Sequence, residues 1–121
     1  MSPKELKYGK NIESSIYFSK QLDNLGIYRK YTGYYLLVEI VKILVNEENK
    51  IISFSKKIYP YVASKYGKTD CTVERNIRSL IQKCWNLELM KKLQTYYPEN
   101  VRPTCREFVY LIVKYIEDQI L

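Results

Sequence analysis

An all-α fold is predicted by three observations. Apolar residues recur at three- and four-residue spacings almost throughout, no stretch alternates with period two, and helix start and stop signals fall between the apolar stripes. The 121 residues are enough for one compact domain with a real core and too few for two ordinary ones. With 46% hydrophobic and 27% charged residues the composition is that of a chain that folds. Six helices are expected.

Ile12, Ile16, Leu22 and Leu25 make the first helix, and Gly26 ends it because glycine tolerates the left-handed backbone at a helix C-terminus. Leu36, Leu37, Ile40, Val41, Leu44 and Val45 give a second helix with a broad apolar face, the expected centre of the core. After the polar break NEENK, Ser53 or Ser55 is placed to cap a third helix carrying Ile58, Tyr59, Val62 and Tyr66. Pro60 donates no backbone hydrogen bond and so kinks that helix or marks its first turn.

The fourth helix follows a turn, Gly67 to Asp70, with Thr69 or Asp70 as N-cap. At about 100° per residue, Val73, Ile77, Leu80, Ile81, Cys84 and Trp85 share one face, leaving Arg75, Ser79 and Gln82 opposite and Thr72 and Arg78 flanking. Leu87 to Leu93 gives a short fifth helix. Thr104 and Glu107 form a T-x-x-E capping box ahead of a sixth helix with Phe108, Leu111, Ile112, Tyr115 and Ile116, while TYYPENVRP before it reads as loop. Helices three and four, joined by a short glycine-containing turn, with a polar outward face at the start of the second, have the pattern of a helix-turn-helix.

Charge is concentrated on that unit. The net charge is +7; residues 50–92 hold ten Lys/Arg against three Asp/Glu, whereas residues 1–49 contribute +1 and residues 93–121 contribute −1. A basic excess confined to one segment is the electrostatic footprint of a polyanion binder. The abundant tyrosines carry no functional weight, since their codons are A/T-rich like those of Lys, Ile and Asn. Cys71, Cys84 and Cys105 form no CxxC pair and meet no histidine, which points to reduced cysteines in a cytoplasmic protein. No signal peptide or membrane span is expected, because the most apolar run, 34–45, is short and carries Glu39 and Lys42. No nucleophile, general base, cofactor site or metal-ligand set can be assembled, so an enzyme is not expected.

IYPYVASKYGKTDCTVERNIRSLIQKCW, with GIYRKYTGYYLL upstream and RPTCREFVYLI downstream, resembles the C-terminal DNA-binding domain of the sporulation master response regulator, the stage zero sporulation protein A family. The resemblance runs from about Leu22 to the C-terminus, and its most specific parts are VER-x-IR at Val73 to Arg78, the YP at Tyr59 and Pro60, and Trp85. It implies an N-terminal helix or tail over residues 1–21 and a helix-turn-helix domain over 22–121. It also implies binding to promoter boxes of double-stranded DNA, often as tandem copies, and the 121 residues leave no room for the receiver domain that precedes this domain in the regulator.

Position by position, the resemblance makes Glu74, Arg75 and Arg78 residues presented to DNA, and Lys56 and Lys65 basic positions of the preceding helix. Chemistry agrees: arginine donates two hydrogen bonds to guanine, glutamate accepts from cytosine, and lysines suit phosphates. Thr72, Asn76, Ser79 and Gln82 complete the expected base-contacting set, and Lys68 and Lys83 the phosphate-contacting set. The plainer reading of Glu74 with Arg78 is an i,i+4 ion pair worth a few tenths of a kcal/mol. Four positions depart from the family pattern, which usually has Arg, Ala, His and Glu where this chain has Thr72, Asn76, Ser79 and Gln82.

The expected function is therefore that of a sequence-specific transcriptional regulator linked to sporulation. The alternative is an interaction module that acts on the full-length regulator or on RNA polymerase without tight DNA binding. Tyr110, Lys114 and Asp118 on the sixth helix form the mixed surface expected to meet a neighbouring copy on DNA.

Overall fold

A short hydrophobic helix surrounded by others is the simplest way for this apolar pattern to leave water, and the computed structural model, which describes residues 11–46, 54–93 and 102–120, has that plan. Helix α1 spans Asn11–Asn24, α2 Tyr34–Asn46, α3 Tyr59–Lys65, α4 Asp70–Cys84, α5 Leu87–Leu93 and α6 Cys105–Ile120; a π-helical turn, Phe54–Ile58, leads into α3. The described residues contain six α-helices and no strand. Helix α2 is the hub, packing against α1, α3, α4 and α6. Leu36, Leu37, Ile40, Val41, Leu44 and Val45 are all buried in one continuous core with Val73, Ile77, Leu80 and Ile81 of α4 and Phe108, Ile112 and Ile116 of α6. Each such side chain stabilises the fold by roughly 1.5–3 kcal/mol before the entropy of ordering is subtracted.

Local signals fix the helix ends. Gly26 has φ +81°. The amide of Ile27 donates to the Leu22 carbonyl (2.9 Å) and that of Gly26 to Asp23 (3.0 Å), a Schellman ending in which the buried Ile27 packs back on the helix. Gly67, φ +64°, ends α3 in the same manner, with the Lys68 amide donating to Ala63 at 2.8 Å. The Thr104–Glu107 box closes in both directions: the Glu107 amide donates to the Thr104 hydroxyl (3.2 Å) and the Thr104 amide to the Glu107 carboxylate (2.9 Å). Asn86 caps α5 by accepting from the Leu89 amide at 2.9 Å, a cap not anticipated from sequence.

Three expectations are corrected. Ile16 is 53% exposed, because the buried stripe of α1 runs through Phe18 and Leu22 to Leu25, and Phe18 lies about 200° around the helix from Ile16. Tyr66 is not on the buried face of α3; it is the C-cap and half-exposed. Ser55 does not cap α3, since it lies inside the π-helical turn and the cap position is Ile58, with Pro60 in the first turn. Ser53, Ile12's side chain and most of the TYYPENVRP segment lie outside the described residues. Helix α1 runs through the expected boundary at residue 21, and Phe18 belongs to the same core as Leu22. No described helix is long and apolar enough to cross a membrane.

Candidate nucleic-acid interface

Helix α4 carries most of the candidate site residues. Thr69, with an extended backbone, is its N-cap: its hydroxyl accepts from the Thr72 amide (3.1 Å) and donates to the Thr72 hydroxyl (2.9 Å). One face of the helix is sunk in the core by Val73, Ile77, Leu80, Ile81 and Cys84. The opposite face must then meet water, and it does: Arg75 and Gln82 are exposed, and Thr72 and Ser79 are partly so. Trp85 sits just past the helix as its C-cap and stacks edge-on against Phe108 of α6, ring centroids 6.5 Å apart, which fixes the far end of α4 on the domain.

The two banks of this outward face differ. On one side, Glu74 and Arg78 form the i,i+4 ion pair and line an open cleft of about 640 Å³ together with Tyr59 and the first turn of α6, Thr104 to Glu107. Burial pushes the Tyr59 hydroxyl up to about 12, with smaller contributions from the Cys105 and Glu74 charges. Burial also pushes the Cys105 thiol up, while Arg78, hydrogen-bonded to it, pulls it partly back. On the other side, Asn76 is half-buried against Gly33, whose missing Cβ would lie 2.7 Å from the Asn76 carbonyl oxygen. The Asn76 amide is thus at the margin of the outward stripe, with Lys83 below it in the last turn.

The sequence of α4 and of the elements on either side matches the family described as sporulation initiation factor Spo0A, C terminal, over residues 18–116, more than four-fifths of the chain. The chain belongs to this family. As a Spo0A C-terminal domain it is a DNA-binding transcription regulator domain of sporulation, and the family is not one of enzymes.

Within this Spo0A domain the basic side chains are not equivalent. Lys68, in the turn before α4, and Lys56, in the π-helical turn, are exposed. Lys65 instead donates to Glu39, the only buried charged residue among those described. A carboxylate in the core needs a partner, and this one reaches it from α2 to the end of α3. The hydrogen bond to Glu39 is the largest cause raising the Lys65 pKa, so the ammonium is held as the charged partner. Nothing in the local sequence pairs positions 39 and 65. Four more basic residues are exposed: Arg106, which lines the cleft, Arg102 three residues before α6, and Arg29 and Lys30 in the turn that leads to Gly33. Only the folded domain brings Gly33 and the first turn of α6 to α4. Among the described residues no three His, Cys, Asp or Glu side chains converge as metal ligands.

Proposed function

We propose that this domain reads a specific promoter box by laying α4 in the major groove of double-stranded DNA. The observation that carries the reading is the outward stripe of α4: Arg75, Ser79 and Gln82 point away from the core at the centre of the basic segment, bordered by the Glu74–Arg78 pair. Arg75 and Arg78 suit guanine, Glu74 suits cytosine or orients Arg78, and Asn76 and Gln82 suit adenine, with Thr72 and Ser79 adding short hydroxyl contacts. Lys56, Lys68 and Lys83 hold phosphates, and Lys65 joins them only by sharing its ammonium with Glu39. Adjacent copies pair on doubled boxes, with Tyr110, Lys114 and Asp118 facing the neighbour.

The test is a titration of wild type and Arg75→Ala against a specific box and a scrambled duplex at one salt concentration. Arg75→Ala should weaken specific binding by about 1–3 kcal/mol and relax preference at one base pair. Its stability should change by less than about 0.5 kcal/mol, because the side chain is exposed. Equal, weak binding of both proteins to both duplexes would instead favour a module that acts on the full-length regulator or on RNA polymerase.

A further inference from the structure

Gly33 lies against the middle of α4, and this contact places a second basic element beside the reading face. An ideal Cβ on Gly33 would meet the Asn76 carbonyl oxygen at 2.7 Å and the Asn76 Cβ at 3.3 Å, so the loop ending at Gly33 touches α4 at backbone distance. By the rotation of the helix, Asn76 is on the opposite bank of the outward stripe from Glu74 and Arg78. The loop therefore lines the bank that α6 does not.

Its chemistry is one-sided. Arg29, Lys30 and Thr32 are exposed, and no acidic residue occurs between Asp23 and the buried Glu39. The backbone is tied into turns, the Tyr31 amide donating to Tyr28 and the Tyr34 amide to Tyr31, both at 3.1 Å. The Gly33 carbonyl then accepts from the Leu37 amide at 2.9 Å, in the first turn of α2. The Tyr28 and Tyr31 rings lie tilted by 37° with centroids 6.3 Å apart, and the Lys30 ammonium lies 5.6 Å above the Tyr31 ring. Two cations are thus presented on a short, ordered, aromatic-backed turn.

We propose that the Tyr28–Gly33 loop is a second DNA-binding element, with Arg29 and Lys30 holding phosphates of the strand that borders the groove on the Asn76 side of α4. The inference rests on the reading that α4 enters the major groove. A groove about 12 Å wide has a phosphate chain on each bank, so a helix seated in it brings its flanking elements to different strands. The loop meets one strand, and the cleft side, lined by Arg106, faces the other. Gly33 sets the separation between the base-reading face and this clamp, because any larger residue pushes the loop from the helix.

The experiment is the salt dependence of binding for wild type, the double variant Arg29→Gln/Lys30→Gln, and Arg75→Ala, each on a specific and a scrambled duplex. Two lost phosphate contacts should lower the slope of log K against log salt by about 1.8. Affinity should fall by about the same factor on both duplexes, with the specificity ratio and the melting temperature unchanged. Phosphate-ethylation interference should lose its signal on one strand only. A double variant with the wild-type slope, in a protein whose specific binding Arg75→Ala still weakens, overturns the loop assignment alone. Wild-type binding that is indifferent to both Arg75→Ala and sequence overturns the α4 reading and the loop with it.

Discussion

Replacing Gly33 by alanine perturbs the contact between the loop before α2 and α4, and its cost can be separated from ordinary glycine strain because the chain contains its own control. Gly67 has φ +64° and open space around the position of a Cβ, whereas Gly33 has φ +92° and the Asn76 carbonyl oxygen at 2.7 Å, well inside the 3.4 Å at which ordinary contact begins. Gly67→Ala should therefore cost only the left-handed penalty, about 1–2 kcal/mol. Gly33→Ala carries a similar penalty plus the displacement of a packed backbone, for which overpacking data suggest about 1–3 kcal/mol more. The sum, about 2–5 kcal/mol, is a large part of the 5–15 kcal/mol typical of a small domain. Urea unfolding of the three proteins, followed by far-ultraviolet circular dichroism, measures both values from the shift in midpoint at unchanged slope. Equal destabilisation by the two alanines would refute the reasoning, because it would mean that the Gly33–Asn76 contact relaxes freely and imposes no spacing between the loop and α4.

Other expectations follow from the same structure. Lys65→Met leaves the carboxylate of Glu39 buried without its ammonium and should cost about 2 kcal/mol or more, whereas Glu39→Gln, which lets the half-exposed Lys65 return to water, should cost less; thermal melts of the two variants give the order. Thr69→Ala removes the acceptor for the Thr72 amide at the start of α4 and should destabilise by about 1 kcal/mol in urea titration, with Thr69→Ser restoring most of it. Alkali should unfold the domain through two buried acids. Burial raises the Cys84 thiol from 9.0 to about 12 and the Tyr59 hydroxyl from 10.0 to about 12, so their stabilising effect is complete below pH 9 and is lost as the pH climbs to about 12. For Cys84 alone the full loss is about 4 kcal/mol at about 1.36 kcal/mol per unit. Unfolding free energy measured between pH 8 and 11 should fall with rising pH, and Cys84→Ala should flatten the curve. A thiol reagent at neutral pH should label the exposed Cys71 first and Cys84 only on unfolding.

What this sequence determined by itself is what depends on neighbours a few positions away. The α-helical class, the helix end at Gly26, the turn at Gly67, a cap at Thr69 or Asp70, the Thr104–Glu107 box and the division of α4 into a buried and an outward face all follow from spacings of three to five residues, over which helical geometry alone brings groups together, and the folded chain selects Thr69 as the cap. The i,i+4 pairing of Glu74 with Arg78 was legible for the same reason. Periodicity was less informative where the apolar stripe is thin, as on α1, where Ile16 and Phe18 compete and only burial in the common core selects Phe18. Tertiary structure alone decided the rest: that Lys65 serves a buried carboxylate 26 positions away, that Gly33 sets the approach of a basic loop to Asn76, and that the first turn of α6 walls a cleft beside Arg78. Charge counting cannot distinguish a lysine held by the core from one left for a phosphate, because that difference lies in which surfaces the folded chain desolvates, and desolvation is a property of long-range packing.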